Sequence, residues 1–246
     1  MLRLMSRLQH GITMSDVTKH LGIPKSTASR MLTQLCKYGF VDRDPQSLAY
    51  RPGIMLLEAA HVVHRTSSLS VYFEDALKDL SRETGHTGYI SALDGRDVLV
   101  LRVVPGTHAL RVVTYPGSRS PAWATSTGRA LLARIDDEVL SREFGRHLET
   151  GGTNSPVTFE MLVRRLTEVR QQGWSVAVDE AVPGACSVSC AVGCPQTGET
   201  LAFCLTFPAS MASKEEIERL ASLLLAQARQ IGRMVGDDHW TGSEVR

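Results

Sequence analysis

Hydroxyl and basic side chains between residues 25 and 37 have the types and the spacing to bind DNA. On a helix, positions i, i+4, i+7 and i+11 share one side, and two further residues lie beside them: Ser26, Arg30, Thr33 and Lys37, then Lys25 and Ser29. Arg can pair with the edge of guanine, Ser and Thr can bind bases or phosphates, and Lys can bind a phosphate. These residues therefore predict a recognition helix, with an ordinary solvated helix face as the alternative.

The residues around this stretch predict two helices that meet at a tight corner. Thr13 and Asp16 have the spacing of a capping box, so the first helix is expected to begin after Thr13. Gly22 can take the left-handed conformation that ends a helix, and Pro24 suits the start of the next one, expected at about 24–38. This order is typical of a helix-turn-helix.

A short hairpin is predicted directly after the second helix. Residues 40–41 and 50–51 favour strands, and residues 42–47 between them are rich in turn formers. A helix-turn-helix followed by a hairpin is the order of a winged helix, and we expect Arg51 and the hairpin tip around Gln46 to contact the DNA backbone. The residues expected in the major groove are Lys25, Ser26, Thr27, Ser29 and Arg30.

Cysteine and histidine residues later in the chain have the chemistry of a nucleophile and a base: Cys186, Cys190, Cys194 and Cys204 with His86, His108 or His147. No motif of a serine hydrolase, a zinc protease or a phosphate-binding loop accompanies them. Cys186, Cys190 and Cys194 are four residues apart, so on a strand they share one face, as small core residues would. No metal site is predicted, and the alternative function is a metabolic or hydrolytic enzyme with an N-terminal helical interaction module.

The pattern after residue 53 alternates helices with hairpins, which is typical of an α+β domain. Helices are predicted at 54–65, 71–84, 125–133, 158–172 and from 213 onward, and strands at 89–93, 98–104, 109–114, 174–178, 187–193 and 200–207. Asp94-Gly95 predicts a type I′ turn between the first two strands, because this turn needs positive φ values. Residues 115–122 are predicted to form a loop.

Small polar residues alternate along two of the predicted strands and suggest a ligand cavity. Cys204 and Thr206 share one face of their strand, and Ser187 and Ser189 share one face of its neighbour. Large aliphatic residues normally fill a core face, so these rows would leave room for a small guest that hydrogen-bonds to hydroxyl groups. A solvent-exposed polar face is the alternative, since antiparallel sheets commonly have a wet side.

Charge is divided unevenly along the 246 residues. Residues 1–67 hold nine Lys and Arg against four Asp and Glu, whereas the remainder holds 18 against 22. A basic first quarter fits a module that neutralises phosphates. Five cysteines without a CxxC motif fit a reducing compartment, and no stretch approaches the roughly 20 apolar residues of a membrane span, so we expect a soluble, cytoplasmic protein without membrane contact.

The chain resembles the IclR family of bacterial transcriptional regulators over nearly its whole length. In the first part the resemblance is carried by the stretch from Leu21 to Pro45 and by Tyr50-Arg51-Pro52-Gly53. In the remainder it is carried by Leu93-Asp94-Gly95, segment 119–133, Gly173-Trp174, Asp179-Glu180, Pro183-Gly184 and Pro208. The chain departs from the family at Ala122-Trp123, where Leu-His is usual, and at Ala177, where Asp is frequent.

This resemblance implies an α+β fold with an N-terminal winged helix-turn-helix and a C-terminal GAF/PAS-like α/β effector-binding domain. The expected bounds are 1–53 for the DNA-binding domain, 54–69 for a linker helix and 70–246 for the sensing domain. The family's ligand-contacting positions correspond to Ser126, Thr127, Ala185, Ser187, Cys204 and Thr206, with an apolar wall near Leu110 and Val112. Trp123 is expected to add a ring, and the amides that open the helix at 125–133 are expected to favour a carboxylate.

The predicted function is that of a ligand-responsive, DNA-binding regulator of a catabolic or metabolic operon. Ala177 and Trp123 favour a small carboxylic acid with an apolar or aromatic body as the effector. The expected partners are double-stranded DNA, this effector and further copies of the chain, because one recognition helix reads few base pairs and a twofold dimer reads two half-sites. A homodimer or a dimer of dimers is therefore expected, without a cofactor.

Overall fold

The computed structural model describes residues 1–2, 4–5, 11–66, 68–109, 114–145, 148–149 and 151–241. The chain divides into two compact units, Met1–Ser67 and Ser68–Arg246. In these described ranges, no helix combines the length and the apolar character needed to cross a bilayer.

The first unit is a winged helix-turn-helix, as predicted. Its elements are α1 (Met14–Leu21), α2 (Lys25–Lys37), β1 (Val41–Arg43), β2 (Tyr50–Pro52) and α3 (Ile54–Thr66), and the two strands pair antiparallel. The capping box is present, since the Thr13 hydroxyl accepts from the Asp16 amide at 3.2 Å and the Asp16 carboxylate accepts from the Thr13 amide at 2.8 Å. Gly22 ends α1 at φ 62°, which confirms the predicted corner.

The second unit is an α+β domain. Its helices are α4 (Ser68–Thr84), α5 (Ser126–Leu132), α6 (Asp137–Phe144), α7 (Phe159–Gln172), α8 (Lys214–Val235) and α9 (Asp238–Thr241). Its strands are β3 (Thr87–Asp94), β4 (Asp97–Val104), β5 (Arg119–Pro121), β6 (Ser175–Val178), β7 (Ala185–Cys194) and β8 (Glu199–Pro208). They form one antiparallel sheet in the order β5-β4-β3-β8-β7-β6, with short 3₁₀ turns at Ala122–Ala124 and Ala209–Met211.

The sheet of the second unit is covered on both faces. One face packs against α4 and α8, and its core holds Phe73, Leu77, Phe203 and Leu224 among other apolar residues. A β-carbon at Gly88 would lie 2.8 Å from the Leu77 side chain, so glycine is what lets α4 approach the sheet. The other face packs against the 3₁₀ turn at 122–124 and helices α5 to α7. Successive side chains of β7 and β8 therefore point, as predicted, to opposite faces of the sheet, and both of these faces are buried.

Two local predictions were wrong, and a third falls mostly outside the described residues. Asp94 pairs with Asp97, so Gly95 and Arg96 form the loop, and only Gly95 has a positive φ, which excludes a type I′ turn. The predicted loop at 115–122 contains β5, which pairs with β4. The strand predicted at 109–114 falls mostly on residues 110–113, which lie outside the described residues.

Helix bounds also differ from the predictions. The predicted linker at 54–69 corresponds to α3 of the first unit and to the first residues of α4 in the second, so α4 begins three residues before the predicted start at 71. Helix α5 begins at Ser126 after a 3₁₀ turn, and α6 was not predicted at all. Short helices of this kind carry too few apolar repeats for periodicity to reveal them.

Candidate functional site

The exposed side of α2 carries all five of the predicted major-groove residues. Ala28 and Leu32 of this helix have no exposed surface and pack with Val17 and Val41, so the core determines the rotation of the helix about its axis. The residues left exposed to solvent by this rotation are Lys25, Ser26, Thr27, Ser29 and Arg30. The structure thus assembles a surface of hydroxyl and basic groups on one helix.

The start of α2 suits a phosphate group. Pro24 precedes the helix and makes no side-chain capping bond, and the first turn contains no acidic residue. The first amide groups of a helix lack partners within the helix, and the positive end of its dipole favours an anion. Lys25, the first helical residue, adds a full positive charge at the same point.

The hairpin β1–β2 presents the predicted wing residues to solvent. The side chain of Arg51 is 63% exposed, and its Nη2 lies 3.3 Å from Oδ2 of Asp44. Asp44 accepts from the amides of Gln46 at 3.0 Å and Ser47 at 2.8 Å, and the bonds from Ser47 lower the pKa of this carboxyl. Asp44 therefore stays ionised and orders the tip on which Gln46 lies exposed.

The floor of a cavity in the second unit lies on two rows of mostly polar residues that cross adjacent strands, and Tyr89, Ala177, Ser187, Cys204 and Thr206 of these rows line it. The strand register aligns Thr87, Thr206, Ser187 and Ala177 in one row, and Tyr89, Cys204, Ser189 and Ser175 in the other. Residues that alternate with these rows along the strands point to the opposite face, where Ile90, Phe203, Leu205 and Val188 form the core. The predicted cavity face of β7 and β8 is thus extended by β3 and β6.

Helix α5 brings a further hydroxyl onto these rows. Oγ of Ser126 lies 2.7 Å from Oγ of Ser187 and also accepts a hydrogen bond from Ser189. Ser126 and Ser189 are almost completely buried, with 1% and 0% of their surface exposed. When the Ser189 proton is donated to Ser126, the Ser126 proton can be donated to Ser187, and the Ser187 proton is left for a third group.

The cavity enclosed by α5 and the sheet has a volume of about 90 Å³. Its described lining includes six predicted effector contacts, which are Ser126, Thr127, Ala185, Ser187, Cys204 and Thr206, and it also includes Ala177. The lining residues that the sequence analysis missed include Tyr89, Ser91, Val98, Val100, Ser120 and Glu180. Tyr89 and Ser91 could have been predicted from the sequence, because the apolar Ile90 lies between them on β3. The apolar Leu205 lies between Cys204 and Thr206 on β8 in the same way.

One predicted effector residue lies away from this cavity, and two lie outside the described residues. The indole of Trp123 is 4% exposed, donates to the carbonyl of Glu149 at 3.1 Å, and packs edge-on against Phe144. It belongs to the core between the sheet and α6, and it does not line the cavity. Leu110 and Val112 lie outside the described residues.

A buried ion pair supports one side of the cavity. Arg129 of α5 donates to both carboxylate oxygens of Glu180, at 2.5 and 2.8 Å, and to the carbonyls of Trp123 and Val176. Both side chains are at most 3% exposed. Glu180 also lines the cavity, and Arg129, which is not part of the described lining, balances its charge. The pair ties α5 to β6 and to the 3₁₀ turn at 122–124.

Three of the thiols in this unit, those of Cys186, Cys190 and Cys204, are poor nucleophiles. Burial raises the pKa of Cys204 to about 11 and that of Cys186 to about 12, and it also raises the pKa of Cys190. Burial likewise raises the pKa of the Tyr89 phenol, whose oxygen accepts from the Thr114 amide at 3.2 Å. These groups are therefore neutral near pH 7, and they can supply hydrogen bonds but no charge. His147, one of the candidate bases, lies outside the described residues.

Comparison with known proteins agrees with this architecture. The helix-turn-helix domain of the IclR family matches residues 1–45, and the C-terminal domain of the bacterial transcriptional regulator IclR matches residues 60–233. The HTH-type transcriptional regulator XynR of Escherichia coli (strain K12) is 28% identical over 228 residues, which cover 90% of each chain.

Solved structures share the fold. A transcriptional regulator of this family from Alicyclobacillus acidocaldarius superposes with a TM-score of 0.84 at 26% identity, covering 96% of this chain and 95% of that one. An IclR homologue from Microbacterium hydrocarbonoxydans, complexed with 4-hydroxybenzoate, has a TM-score of 0.72 at 20% identity, covering 94% and 98%. Proteins of this kind are regulators and not enzymes, which decides against the alternative function of the sequence analysis. Since the two domain matches span most of the sequence in the order of the two units, the chain belongs to the IclR family of bacterial transcriptional regulators.

Proposed function

We propose that this regulator controls a catabolic or metabolic operon in the cytoplasm, in response to a small organic acid bound in the cavity between α5 and the sheet. The observation that carries the proposal is the group of hydroxyls on the cavity floor, those of Ser187, Thr206 and Tyr89, next to Ser126. In this proposal the operator is bound by Lys25, Ser26, Thr27, Ser29 and Arg30 of α2, with Arg51 and Gln46 on the DNA backbone.

The hydroxyl groups suit an acceptor such as a carboxylate. Because the Ser189 proton is directed to Ser126, Ser187 can donate outward to a bound acid, and Thr206 lies beside it in the same row. Hydrogen bonds to an ionised acceptor are shorter and stronger than neutral ones. Among the described lining residues the one charged side chain is Glu180, and its charge is balanced by Arg129. Neutral donors therefore hold the acid group.

The walls suit an apolar body on the same molecule. Val98, Val100, Ala177, Ala181 and Val182 line the cavity around the polar floor. Ala177 still favours an apolar effector over a very small oxo-acid, whereas the argument from Trp123 no longer applies because its ring lies in the core. The volume of about 90 Å³ favours a small acid.

Calorimetry or thermal shift against a panel of organic acids, with 4-hydroxybenzoate and short aliphatic acids included, tests this assignment. We expect one acid to bind the wild type, and we expect Ser187→Leu and Thr206→Val to weaken it by filling the cavity and by removing a donor. Val139→Leu, at an exposed position of α6, is the matched control for Ser187→Leu and should leave binding unchanged. An acid that binds the wild type and both cavity variants equally well would place the effector site elsewhere.

A homodimer or a dimer of dimers completes the proposed function. Helix α3 exposes a broad apolar face, with Ile54 at 63%, Leu57 at 67% and Val62 at 61% exposure. A second copy could bury this face and would place two α2 helices on half-sites about 34–36 Å apart or a multiple of that distance. Light scattering at micromolar concentration, with and without DNA, tests this point, and a monomer under both conditions would contradict it.

DNA binding itself is tested by a mobility-shift assay with the region upstream of the protein's own gene. We expect a specific complex whose affinity changes when the effector acid is added. Absence of any specific complex, with or without acid, would contradict the proposed regulation of this region.

A further inference from the structure

The turn between β1 and β2 is ordered by hydrogen bonds from both of its ends. The Asp44 amide donates to the Ala49 carbonyl at 2.8 Å, and the Leu48 amide donates to the Asp44 carbonyl at 3.0 Å. The Asp44 carboxylate accepts from the amides of Gln46 and Ser47. The backbone of this turn is therefore defined without any contribution from the side chain of Leu48.

Leu48 is poorly suited to its place by the ordinary rules of folding. Its φ is 58°, in the left-handed region that disfavours residues with a branched side chain, and 54% of its surface is exposed. The other non-glycine residue with positive φ in the described part of the chain is Asp179, a residue type that tolerates this region. Gly or Asn at position 48 would relieve the backbone, and Leu48 is not among the described residues that form the core of the first unit or pack against it. Folding alone does not explain a leucine there.

The surroundings of Leu48 indicate what its side chain contacts. It lies at the tip of a β-hairpin in the basic unit, and the strands on either side carry the exposed side chains of Arg43 and Arg51. An apolar tip flanked by two guanidinium groups matches a DNA groove, whose deoxyribose walls are apolar and whose edges are lined with phosphates. Apolar side chains, leucine among them, are used by proteins that enter the minor groove.

We propose that Leu48 is an apolar DNA contact, placed against the sugars of the minor groove beside the segment bound by α2, with Arg43 and Arg51 on the flanking phosphates. Two features support this reading over a protein partner. On the hairpin at 41–52, Leu48 is the one exposed large apolar side chain, which is less than the patch that protein interfaces need. Its charged neighbours are the exposed Arg43 and Arg51, with the acidic Asp42 and Asp44 beside them, and phosphates attract the two cations. This inference rests on the proposed binding of DNA by the first unit.

The test uses the full chain and a duplex selected by the wild-type protein from a random DNA pool. Leu48→Asn should keep or raise the Tm, because Asn tolerates the left-handed region, while DNA affinity falls about tenfold, the loss that corresponds to one partly buried leucine. Leu48→Met keeps an apolar side chain and should bind within about twofold of the wild type. Val139→Ala, an exposed apolar residue of the second unit, is the matched control and should leave affinity unchanged.

Hydroxyl-radical footprinting locates the contact, because this reagent reports the sugars that line the minor groove. We expect the wild type and Leu48→Met to protect sugars beside each half-site, and Leu48→Asn to lose this protection while guanine contacts in the major groove persist. Unchanged affinity and footprint in Leu48→Asn would overturn the inference and leave DNA binding by α2 intact. Failure of the wild type to select any duplex would overturn the proposed DNA-binding function and this inference with it.

Discussion

The surface of the first unit that we propose to bind DNA and the cavity of the second use the same residue types in opposite ways. Arg30 and Ser26 are exposed on α2, whereas Arg129 and Ser126 are each 1% exposed in the second unit. Exposed polar groups remain solvated in the free protein, so they contribute little to folding and are available to a partner. Buried polar groups must be hydrogen-bonded within the fold, so they contribute to stability and to the shape of the site together.

Because of this difference, substitutions in one region should affect function without affecting stability, whereas substitutions in the other should affect both. Substitutions on the exposed side of α2 should change binding alone. Substitutions around the cavity should change the free energy of unfolding and effector binding at once, because Ser126, Ser189, Arg129 and Glu180 hold the elements that enclose it. Four predictions sharpen this comparison, in order of decreasing size.

The largest effect is expected from breaking the Arg129–Glu180 pair. Arg129→Met and Glu180→Gln should each lower the free energy of unfolding by about 3–5 kcal/mol, because each leaves buried hydrogen-bonding groups or a charge without its partner. Replacing both residues by Met and Leu should cost less than either single change. Urea unfolding followed by tryptophan fluorescence measures this, since all three tryptophans lie in the second unit. Single variants with the same free energy of unfolding as the wild type would show that the pair is not needed for stability.

A smaller effect on binding, without an effect on stability, is expected at Arg30. Arg30→Ala should lower specific DNA affinity by about 1–3 kcal/mol and relax one base position. Its free energy of unfolding should stay within about 0.5 kcal/mol of the wild type, because the side chain is exposed. Arg165→Ala, on the exposed side of α7, is the matched control and should leave both quantities unchanged. Equal losses in both variants would mean that only overall charge matters.

Acidification should destabilise the second unit through His86. Burial lowers the pKa of this imidazole, although Glu216 at 3.2 Å from Nε2 opposes the shift. Folding therefore favours the neutral ring, and its contribution is complete above the unfolded pKa of 6.5 and is lost as pH falls below that value. The slope from one such group is at most about 1.4 kcal/mol per pH unit. Urea unfolding between pH 7 and 5 should show a weaker pH dependence in His86→Gln, and equal slopes would contradict this role.

The smallest effect is expected at the start of α2. Lys25→Ala should weaken binding to all DNA sequences alike and reduce the salt dependence of binding by about one unit of slope, because one phosphate contact is lost. Fluorescence anisotropy at several salt concentrations measures the slope for a selected and a random duplex. A loss confined to the selected duplex would instead place Lys25 at a base edge.

Local patterns were sufficient where a helix or turn has its own signal. Thr13 with Asp16, Gly22 and Pro24 predicted the corner between α1 and α2, because caps and left-handed glycines depend on neighbours within a few residues. The alternation on β7 and β8 predicted which residues face the core, since a strand period of two is a property of the backbone. The type I′ turn was wrong because the register of β3 with β4, and not the Asp-Gly pair itself, selects the loop residues.

Trp123 shows what local patterns could not supply. Its neighbours in sequence include cavity residues, but its ring turns into the core beside Phe144 of α6, a helix that no period revealed. Glu180 likewise follows a short strand without a distinctive pattern, and its ion pair with Arg129 joins residues 51 positions apart. Such pairs depend on how distant segments meet.

The sequence by itself determined the two kinds of surface in this protein: a basic, hydroxyl-rich helix side in a winged helix-turn-helix, and a sheet face of small polar residues. Both are periodic features of single elements, so they are encoded locally. Only the tertiary structure decided that Tyr89 lies beside Cys204 and that the Trp123 ring lies in the core and not at the cavity. It also decided that α5 packs over the cavity, with Ser126 next to Ser187. Strand order and helix docking join residues far apart in the chain, and no local period specifies those contacts.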